Sequence, residues 1–338
     1  MWLVTGNYAI EARGLRKAFG DLTVLDSVDL RVESGTMLGV LGPNGAGKTT
    51  CVRILSTLLG ADGGTATIAG HDVMKEPRAV RRVIGLTGQD TAVDELLTGE
   101  ENLVMMGQLF RLGGAASRRR AAELLDQFDL TDAARRPVKT YSGGMRRRLD
   151  LAVSLINSPP VLFLDEPTTG LDPTSRMAMW ETIRRLMAAG TTVLLTTQYL
   201  EEADQLADRV AVIDGGRVVA EGTAGELKRK VGSERVELTF DGEDLARARA
   251  LFDGEHVGMQ TLSMPIESPS DVRDLLNLAA SQNLDVKGFA LHEPTLDDVF
   301  RTLTGAGPRT GAATAADTDG ATGAGASVKA GAITGETA

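Results

Sequence analysis

The chain has 338 residues, of which 42% are hydrophobic and 24% are charged, which is enough apolar content for the cores of two ordinary domains. Its formal net charge of −10 argues against a protein that coats nucleic acid, because such proteins are usually basic. The single cysteine, Cys51, excludes an internal disulfide framework and a cysteine-rich zinc site.

Residues 1–230 alternate short apolar runs with helical patterns, and in four of the runs the apolar residues are consecutive rather than alternating. Such runs are typical of strands that are buried on both faces of a parallel sheet covered by helices. We therefore predict an α/β domain over this part of the chain. The four runs lie at residues 37–42, 161–165, 191–197 and 209–214.

Residues 231–304 have a different pattern, in which short alternating segments and helical segments follow each other closely. This order predicts a small α+β accessory domain, and a ferredoxin-like arrangement would fit it. Residues 305–338 are rich in Gly, Ala and Thr and lack aromatic residues, so we expect a disordered tail. No run in the chain approaches the roughly 20 apolar residues that a membrane-spanning helix needs.

The most specific motif lies between the first apolar run and a helical segment, and it matches G-x-x-x-x-G-K-[ST]. Its glycines let successive N–H groups face phosphate oxygens, and the following helix adds its positive N-terminal end. Lys48 offers a cation to the terminal phosphates, and Thr49 offers a hydroxyl to Mg²⁺. The residues predicted to bind the nucleotide here are Gly42, Pro43, Asn44, Gly45, Ala46, Gly47, Lys48, Thr49 and Thr50.

Two acidic residues end the second apolar run, at the sheet edge where open α/β sheets bind ligands. Asp165 is placed to hold Mg²⁺, and Glu166 is placed to accept a proton from water that attacks the γ-phosphate. A third motif, Ser142-Gly143-Gly144, precedes a helical segment and offers a hydroxyl and backbone donors suited to an anion.

Together, these motifs resemble those of the ATP-binding subunits of ABC transporters, over residues 10–227. The resemblance implies a P-loop ATPase core with a mixed sheet and a helical subdomain at about 90–155. It also implies that Glu166 is the catalytic base and that Gln89 contacts both Mg²⁺ and the nucleotide. The other nucleotide contacts that it implies are Phe19, stacked on adenine, the signature residues Tyr141, Ser142, Gly143 and Gly144, and Asp172.

Two residues depart from the wider family's pattern. Met145 replaces the usual glutamine of the signature motif, although the neighbouring serine and glycines remain. Gln198 stands where most members carry a switch histidine at the end of a strand. Glutamine can donate and accept hydrogen bonds but cannot become a cation, so we expect Gln198 to contact the γ-phosphate as a catalytic residue without titrating.

The segments 141–150, 164–173, 194–223 and 296–305 are similar to those of the daunorubicin-resistance (DrrA) type of drug-exporter ATPase. This narrower resemblance implies an ATPase that powers efflux of hydrophobic drugs or natural products through a separate integral membrane permease. It implies ATP and Mg²⁺ as cofactors and a homodimer that forms on ATP binding. The location would be the cytoplasmic face of the cell membrane.

Two alternative functions for this chain would also use the phosphate loop. A non-transport ABC ATPase acting on ribosomes or DNA usually carries two such modules or a long coiled coil, and this chain has one module and a net charge of −10. A phosphotransferase would leave the Ser-Gly-Gly motif without a purpose. No nucleic-acid partner is therefore expected.

Overall fold

The computed structural model describes residues 8–88, 92–232, 234–257, 259–266 and 268–304. The strands are β1 (Tyr8–Phe19), β2 (Leu22–Glu33), β3 (Met37–Leu41), β4 (Gly63–Ile68), β5 (His71–Asp72), β6 (Ile84–Thr87), β7 (Val161–Asp165), β8 (Thr192–Thr197), β9 (Arg209–Asp214), β10 (Arg217–Gly222), β11 (Arg235–Phe240), β12 (Glu255–Val257), β13 (Thr261–Pro265) and β14 (Val286–His292). The helices are α1 (Lys48–Leu55), α2 (Pro77–Val83), α3 (Gly99–Leu109), α4 (Gly114–Gln127), α5 (Gly143–Ser154), α6 (Pro173–Ala188), α7 (Leu200–Leu206), α8 (Ala224–Val231), α9 (Gly242–Leu251), α10 (Pro269–Ser281) and α11 (Leu296–Thr304).

The central sheet has the strand order β10-β9-β3-β8-β7-β6. Its strands from β9 to β6 are parallel, and β10 pairs antiparallel with β9 at one edge. Every residue of β3, β7 and β8 is buried, which confirms the prediction from the continuous apolar runs. Because β3, β8 and β7 are neighbours, their carboxyl ends lie side by side at one edge of the sheet.

Both faces of the central sheet are covered, as β7 illustrates. Val161 and Phe163 belong to an apolar cluster with the antiparallel sheet β2-β1-β4-β5 and helix α1. Leu162 and Leu164 belong to a second cluster on the other face, with α3 to α6. A strand packed on both faces needs apolar residues at consecutive positions, which explains the pattern seen in the sequence.

The predicted helical subdomain contains α3, α4 and α5. Helix α3 begins with a capping box, in which the Thr98 hydroxyl accepts from the Glu101 N–H (3.1 Å) and the Glu101 carboxylate accepts from the Thr98 N–H (2.8 Å). These two bonds satisfy donors that the first helical turn leaves free. The start of α3 is thereby determined locally, within the 90–155 region.

The C-terminal segment has the element order β11-α9-β12-β13-α10-β14, with an antiparallel sheet of order β12-β13-β11-β14. This is the ferredoxin-like arrangement that the sequence pattern would fit. Val236, Leu238 and Phe240 alternate inward from β11 into its core, as the alternation predicts. Strand β12 has three exposed residues, and the sequence did not indicate it.

The last helix, α11, packs away from the core of the ferredoxin-like sheet. Leu296 and Val299 share an apolar cluster with Leu227 of α8 and Leu41 at the end of β3. The domain boundaries at 230/231 and 304/305 stay a prediction, and residues 305–338 lie outside the described part of the chain. Within the described residues, no helix combines the length and the apolar character needed to cross a membrane.

Candidate functional site

The phosphate loop runs from the end of β3 to the start of α1. Gly47 has a φ of 107°, and a Cβ there would lie 2.6 Å from Leu25 Cδ2 and 2.9 Å from the Val24 carbonyl oxygen. A Cβ at Gly42 would collide with the backbone of Ile213. Glycine is therefore required at both positions, by conformation and space at one and by space at the other.

Lys48 is almost completely buried, and its ammonium points back along the loop. Its Nζ donates to the carbonyl oxygens of Gly42 (2.8 Å) and Pro43 (3.2 Å). Burial lowers the pKa of Lys48 below its ordinary value, while Glu166 and Asp165 oppose that shift. The loop thus holds a partly desolvated cation in place for phosphate oxygens.

Asp165 ends β7 and connects the phosphate loop to the sheet. Its Oδ1 accepts from the Thr49 hydroxyl at 3.3 Å and also accepts a short hydrogen bond from the Thr196 hydroxyl. A carboxylate and a hydroxyl side by side are hard oxygen donors of the kind that Mg²⁺ takes, together with phosphate oxygens. The donor set of Thr49 and Asp165 therefore fits the predicted Mg²⁺ site.

Glu166 follows β7 in a left-handed backbone conformation, with a φ of 52°. Such a backbone costs on the order of 1–3 kcal/mol for a residue other than glycine. Its N–H donates to the Thr196 carbonyl (2.9 Å), and its carboxylate accepts from the Thr169 hydroxyl at 3.2 Å. The strained turn directs the carboxylate of Glu166 into the cavity described next.

One cavity of about 690 Å³ opens at this edge of the sheet, within the size range of small-molecule sites. It brings together parts that are far apart in the sequence, namely the phosphate loop, the turn after β7 and the residue after β8. Gln198 lies in its wall. The lining residues are Leu22, Val24, Asn44, Gly45, Gly47, Lys48, Thr49, Thr50, Arg147, Glu166, Thr169 and Gln198.

The signature segment does not line that cavity. Ser142 and Gly143 are exposed, and the Ser142 hydroxyl caps α5 by accepting from the Met145 N–H at 3.2 Å. Gly144 lies close to α6, since a Cβ there would be 2.6 Å from Ser175 Oγ. The Tyr141 hydroxyl donates to the Ala133 carbonyl at 2.7 Å, so this side chain anchors the segment from inside.

Three further predicted site residues lie elsewhere or outside the described residues. Asp172 is exposed and caps α6 through Ser175, whose hydrogen bonds lower the pKa of Asp172. Phe19 is about half exposed at the end of β1, with the Lys17 ammonium 5.4 Å from its ring centre, and is not part of the cavity wall. Gln89 lies outside the described residues.

Sequence reasoning missed Arg147, which lines the cavity and is 8% exposed. Burial lowers the pKa of Arg147, an effect that Asp150 opposes most among the carboxylates. Arg147 is the middle residue of three consecutive arginines, 146–148, and the sequence alone does not show which of the three faces the interior. The available signal was its spacing, because Gly144, Arg147 and Asp150 recur at intervals of three and so share one face of α5.

A buried acid, Glu202, lies four residues after Gln198. It is fully buried on α7, and its Oε1 accepts from the Trp180 indole N–H at 3.1 Å. Burial raises the pKa of Glu202, against hydrogen bonds from neighbouring side chains. The sequence analysis did not single out this residue.

Two family models match the chain. The model described as "ABC transporter" matches residues 25–169, and the one described as "ATP-binding protein DrrA1-3-like, C-terminal domain" matches residues 222–304. The first match contains the phosphate loop, the signature segment and the two acids at the end of β7, Asp165 and Glu166. The second contains the ferredoxin-like segment and α11.

Similar proteins were found among both sequences and structures. The daunorubicin resistance ATP-binding protein DrrA2 of Streptomyces coeruleorubidus is 53% identical over 307 residues, covering 88% of this chain and 95% of that protein. The daunorubicin/doxorubicin resistance ATP-binding protein DrrA of Streptomyces peucetius is 53% identical over 306 residues, covering 88% and 92%. A dimeric post-hydrolysis structure of an ATP-binding cassette bound to ADP and Pi is 26% identical, with a TM-score of 0.59 over 63% of this chain and 98% of that one.

Proposed function

The chain belongs to the ATP-binding subunits of ABC transporters, in the group of daunorubicin- and doxorubicin-resistance ATP-binding proteins, and on that premise we propose what its site does and what it exports. The chain is an ATPase, and its hydrolysis of ATP powers efflux of hydrophobic drugs or natural products of the anthracycline kind. The observation that carries this is the single cavity shared by the phosphate loop, Glu166 and Gln198, in a chain 53% identical to such resistance proteins. The relatives do not favour a non-transport role on ribosomes or DNA.

The predicted site residues have distinct tasks in this proposal. The backbone N–H groups of the loop and the Lys48 ammonium bind the β- and γ-phosphates. Thr49 and Asp165, with Gln89, hold Mg²⁺, which when bound offsets negative charge on the phosphate oxygens. Glu166 takes the proton of the attacking water, and Gln198 donates to the γ-phosphate.

The signature segment acts on a second copy of the chain. Because Ser142 and Gly143 are exposed and do not line the cavity that contains the phosphate loop, they are accessible to the ATP of a partner. The γ-phosphate then joins two phosphate-binding faces, so the homodimer is stable while ATP is intact and relaxes after hydrolysis.

The permease partner docks on the helical subdomain. Met105 and Leu109 lie one turn apart on α3 and are exposed, and Leu96 and Phe110 add exposed apolar surface at its two ends. Exposed apolar side chains in such a group are typical of a protein–protein contact. Bound there, the chain works at the cytoplasmic face of the membrane, as a separate subunit from the integral membrane protein.

The test is drug accumulation in sensitive cells that express the chain together with its candidate permease. Fluorescent daunorubicin serves as the probe, and Lys48→Ala is the matched control that keeps both proteins present. We expect lower intracellular daunorubicin with the wild-type pair than with the control. Equal accumulation in both, with ATPase activity intact in the wild type, would count against drug efflux.

A further inference from the structure

Arg147 contacts the backbone of two segments, the chain just after β6 at Gly88 and the turn after β7 that carries Glu166 into the cavity wall. It lies in the second turn of α5, and all three of its guanidinium nitrogens donate to carbonyl oxygens. The acceptors are the carbonyls of Gly88 (2.7 Å), Pro167 (2.8 Å), Glu166 (2.9 Å) and Asp165 (3.3 Å). Three of these four belong to consecutive residues, so one side chain determines the path of the whole turn that carries Glu166.

Asp150, one turn further along α5, completes the arrangement. Its Oδ2 lies 3.7 Å from an Arg147 terminal nitrogen, and its Oδ1 accepts from the Ala92 N–H at 2.7 Å. Arg147 and Asp150 are both buried and of opposite charge, which offsets the cost of burying either one alone. Together they attach α5 to the chain at Gly88, at Ala92 and at the turn after β7.

The geometry requires arginine at this position. The four carbonyl oxygens approach the guanidinium from two segments, and a planar fork with five N–H groups can reach them together. A lysine ammonium would keep the charge but would offer its three donors from a single atom. Charge alone therefore does not explain the contacts of Arg147.

The turn that Arg147 holds is the strained one. Glu166 has its φ at 52°, and its own hydrogen bond to the Thr196 carbonyl fixes only the N–H side of the residue. On the carbonyl side, the Glu166 oxygen accepts from Arg147 at 2.9 Å and from the Thr169 N–H at 3.3 Å. Arg147 also holds the carbonyls of Asp165 and Pro167, so we expect the turn to relax toward an ordinary backbone when this side chain is lost, and the Glu166 carboxylate to move away from the cavity.

We propose that Arg147, braced by Asp150, is a positioning residue for ATP hydrolysis that holds the Glu166 turn in its productive conformation and links it to the signature helix α5. The inference rests on the proposed function in one respect, the role of Glu166 as the base. It adds that α5, which carries the donors for the partner's ATP, contacts the catalytic turn of its own chain through one side chain. When the dimer closes on α5, a movement of this helix would therefore be transmitted to the Glu166 turn through Arg147.

The two neighbouring arginines provide matched controls. Arg146 pairs with Glu95 on the surface (2.7 Å), and Arg148 donates to the Phe128 carbonyl at 2.9 Å within the helical subdomain. Neither contacts the turn after β7. Arg148→Lys therefore makes the same chemical change as Arg147→Lys, one residue away, without touching the carbonyls of Asp165 to Pro167.

The experiment measures kcat, KM and the equilibrium affinity for ATP in full-length Arg147→Lys, Arg147→Ala and Arg148→Lys. For Arg147→Lys we expect kcat to fall roughly 10- to 100-fold, the effect of displacing a catalytic group by about 1 Å, with ATP affinity within threefold of the wild type. Millimolar guanidinium ion should partly restore kcat in Arg147→Ala but not in Arg147→Lys. Arg148→Lys should keep the wild-type kcat.

Several outcomes would overturn the inference. One is a kcat of Arg147→Lys within threefold of the wild type, and another is an ATP affinity that falls in parallel with kcat, since that would indicate a general structural role. Glu166→Gln separates this inference from the proposed function: in that background, Arg147→Lys should reduce the residual rate no further. Wild-type turnover in Glu166→Gln would instead contradict the proposed base, whatever the Arg147 variants do.

Discussion

The two regions of this chain that we propose bind ATP phosphates, the phosphate loop and the signature segment, are built in opposite ways. The loop is held by buried contacts, with Lys48 bonded to loop carbonyls and a glycine pressed against Leu25. The signature residues Ser142 and Gly143 are exposed at a helix start, and nothing lies within 4 Å of a Cβ built at Gly143. The loop is complete within one chain, whereas the signature segment has room for a second molecule.

The difference shows how one chain can contribute the phosphate-loop half to one ATP site of a dimer and the signature half to the other. A surface that must release its partner after every cycle cannot be buried in its own chain, because burial would satisfy its donors permanently. In the proposed cycle, the half that contains Glu166 has the opposite need, since Glu166 has to stay in its strained backbone conformation throughout. Buried contacts around the turn after β7 meet this need, because they keep its backbone in place.

The strongest test of this difference is to inactivate the phosphate loop in one chain and the signature segment in another. Lys48→Ala should lose nucleotide binding, and Gly143→Asp should bind ATP but repel the partner's phosphates, so each alone should be inactive. Gly143 has open space, so the aspartate should not disturb folding. Mixed in equal amounts, the two should recover roughly a quarter of the wild-type rate, because half of the random dimers have one intact site.

The recovery is measured as ATPase rate against the mixing ratio. A mixture of Lys48→Ala with Glu166→Gln is the matched control, since both variants damage the same half of the site and differ in which step they block. No recovery in the first mixture would contradict the assignment of the two halves to different chains.

The next largest effect concerns the base. Glu166→Gln should lower kcat by roughly 1,000-fold, because an amide is close to a carboxylate in shape but a poor proton acceptor. ATP binding should persist, so the ATP-bound dimer should accumulate and be visible by size-exclusion chromatography. Turnover within a few-fold of the wild type would remove Glu166 from its role.

Gln198 should matter less, and only in the transition state. Gln198→Ala should lower kcat on the order of 100-fold with little change in ATP affinity, the usual effect of losing one well-placed donor. The wild-type rate should show no titration near pH 6.5 from this position, whereas Gln198→His could introduce one. Full activity of Gln198→Ala would mean that Glu166 works without this neighbour.

The smallest expected effect is on stability, and it concerns Glu202, the buried acid on α7. Because burial raises the pKa of Glu202 above its ordinary value of 4.5, the folded protein keeps this proton to a higher pH than the unfolded chain does. The free energy of unfolding therefore falls as pH rises through that window. Glu202→Gln removes the penalty, so its melting temperature relative to the wild type should rise as the pH is raised above 4.5.

Glu201 offers the control for this measurement. It is the adjacent acid on α7, with its side chain 66% exposed and a long ion pair to Arg176. Glu201→Gln should leave the pH dependence of the melting temperature unchanged. The same slope in both variants would show that burial of Glu202 is not its cause.

The parts of the fold and site that could be predicted are those with a local cause. Strands β3, β7 and β8 were visible as continuous apolar runs because both faces of the sheet are covered. The phosphate loop was visible because its glycines, Lys48 and Thr49 are consecutive. Strand β12, short and exposed, had no such signal.

The parts that could not be predicted depend on contacts between distant segments. The Thr196 hydroxyl donates a hydrogen bond to Asp165, and the Thr169 hydroxyl donates one to Glu166. No feature of the sequence distinguishes these two threonines from the others. Phe19 was predicted to stack on adenine from its place in a resemblance. It does not line the cavity, whose wall includes Leu22 and Val24, and the stacking stays a prediction.

The sequence by itself determined the chemistry of this protein. A curled loop needs glycine, phosphate needs a cation and backbone donors, and an acid at the end of a buried strand reaches the sheet edge. Only the tertiary structure decided which of three consecutive arginines became internal. That choice depends on the rotation of α5 against the turn after β7, and a helix rotates by about 100° per residue, so Arg147 is buried while Arg146 and Arg148 make their pairs at other faces.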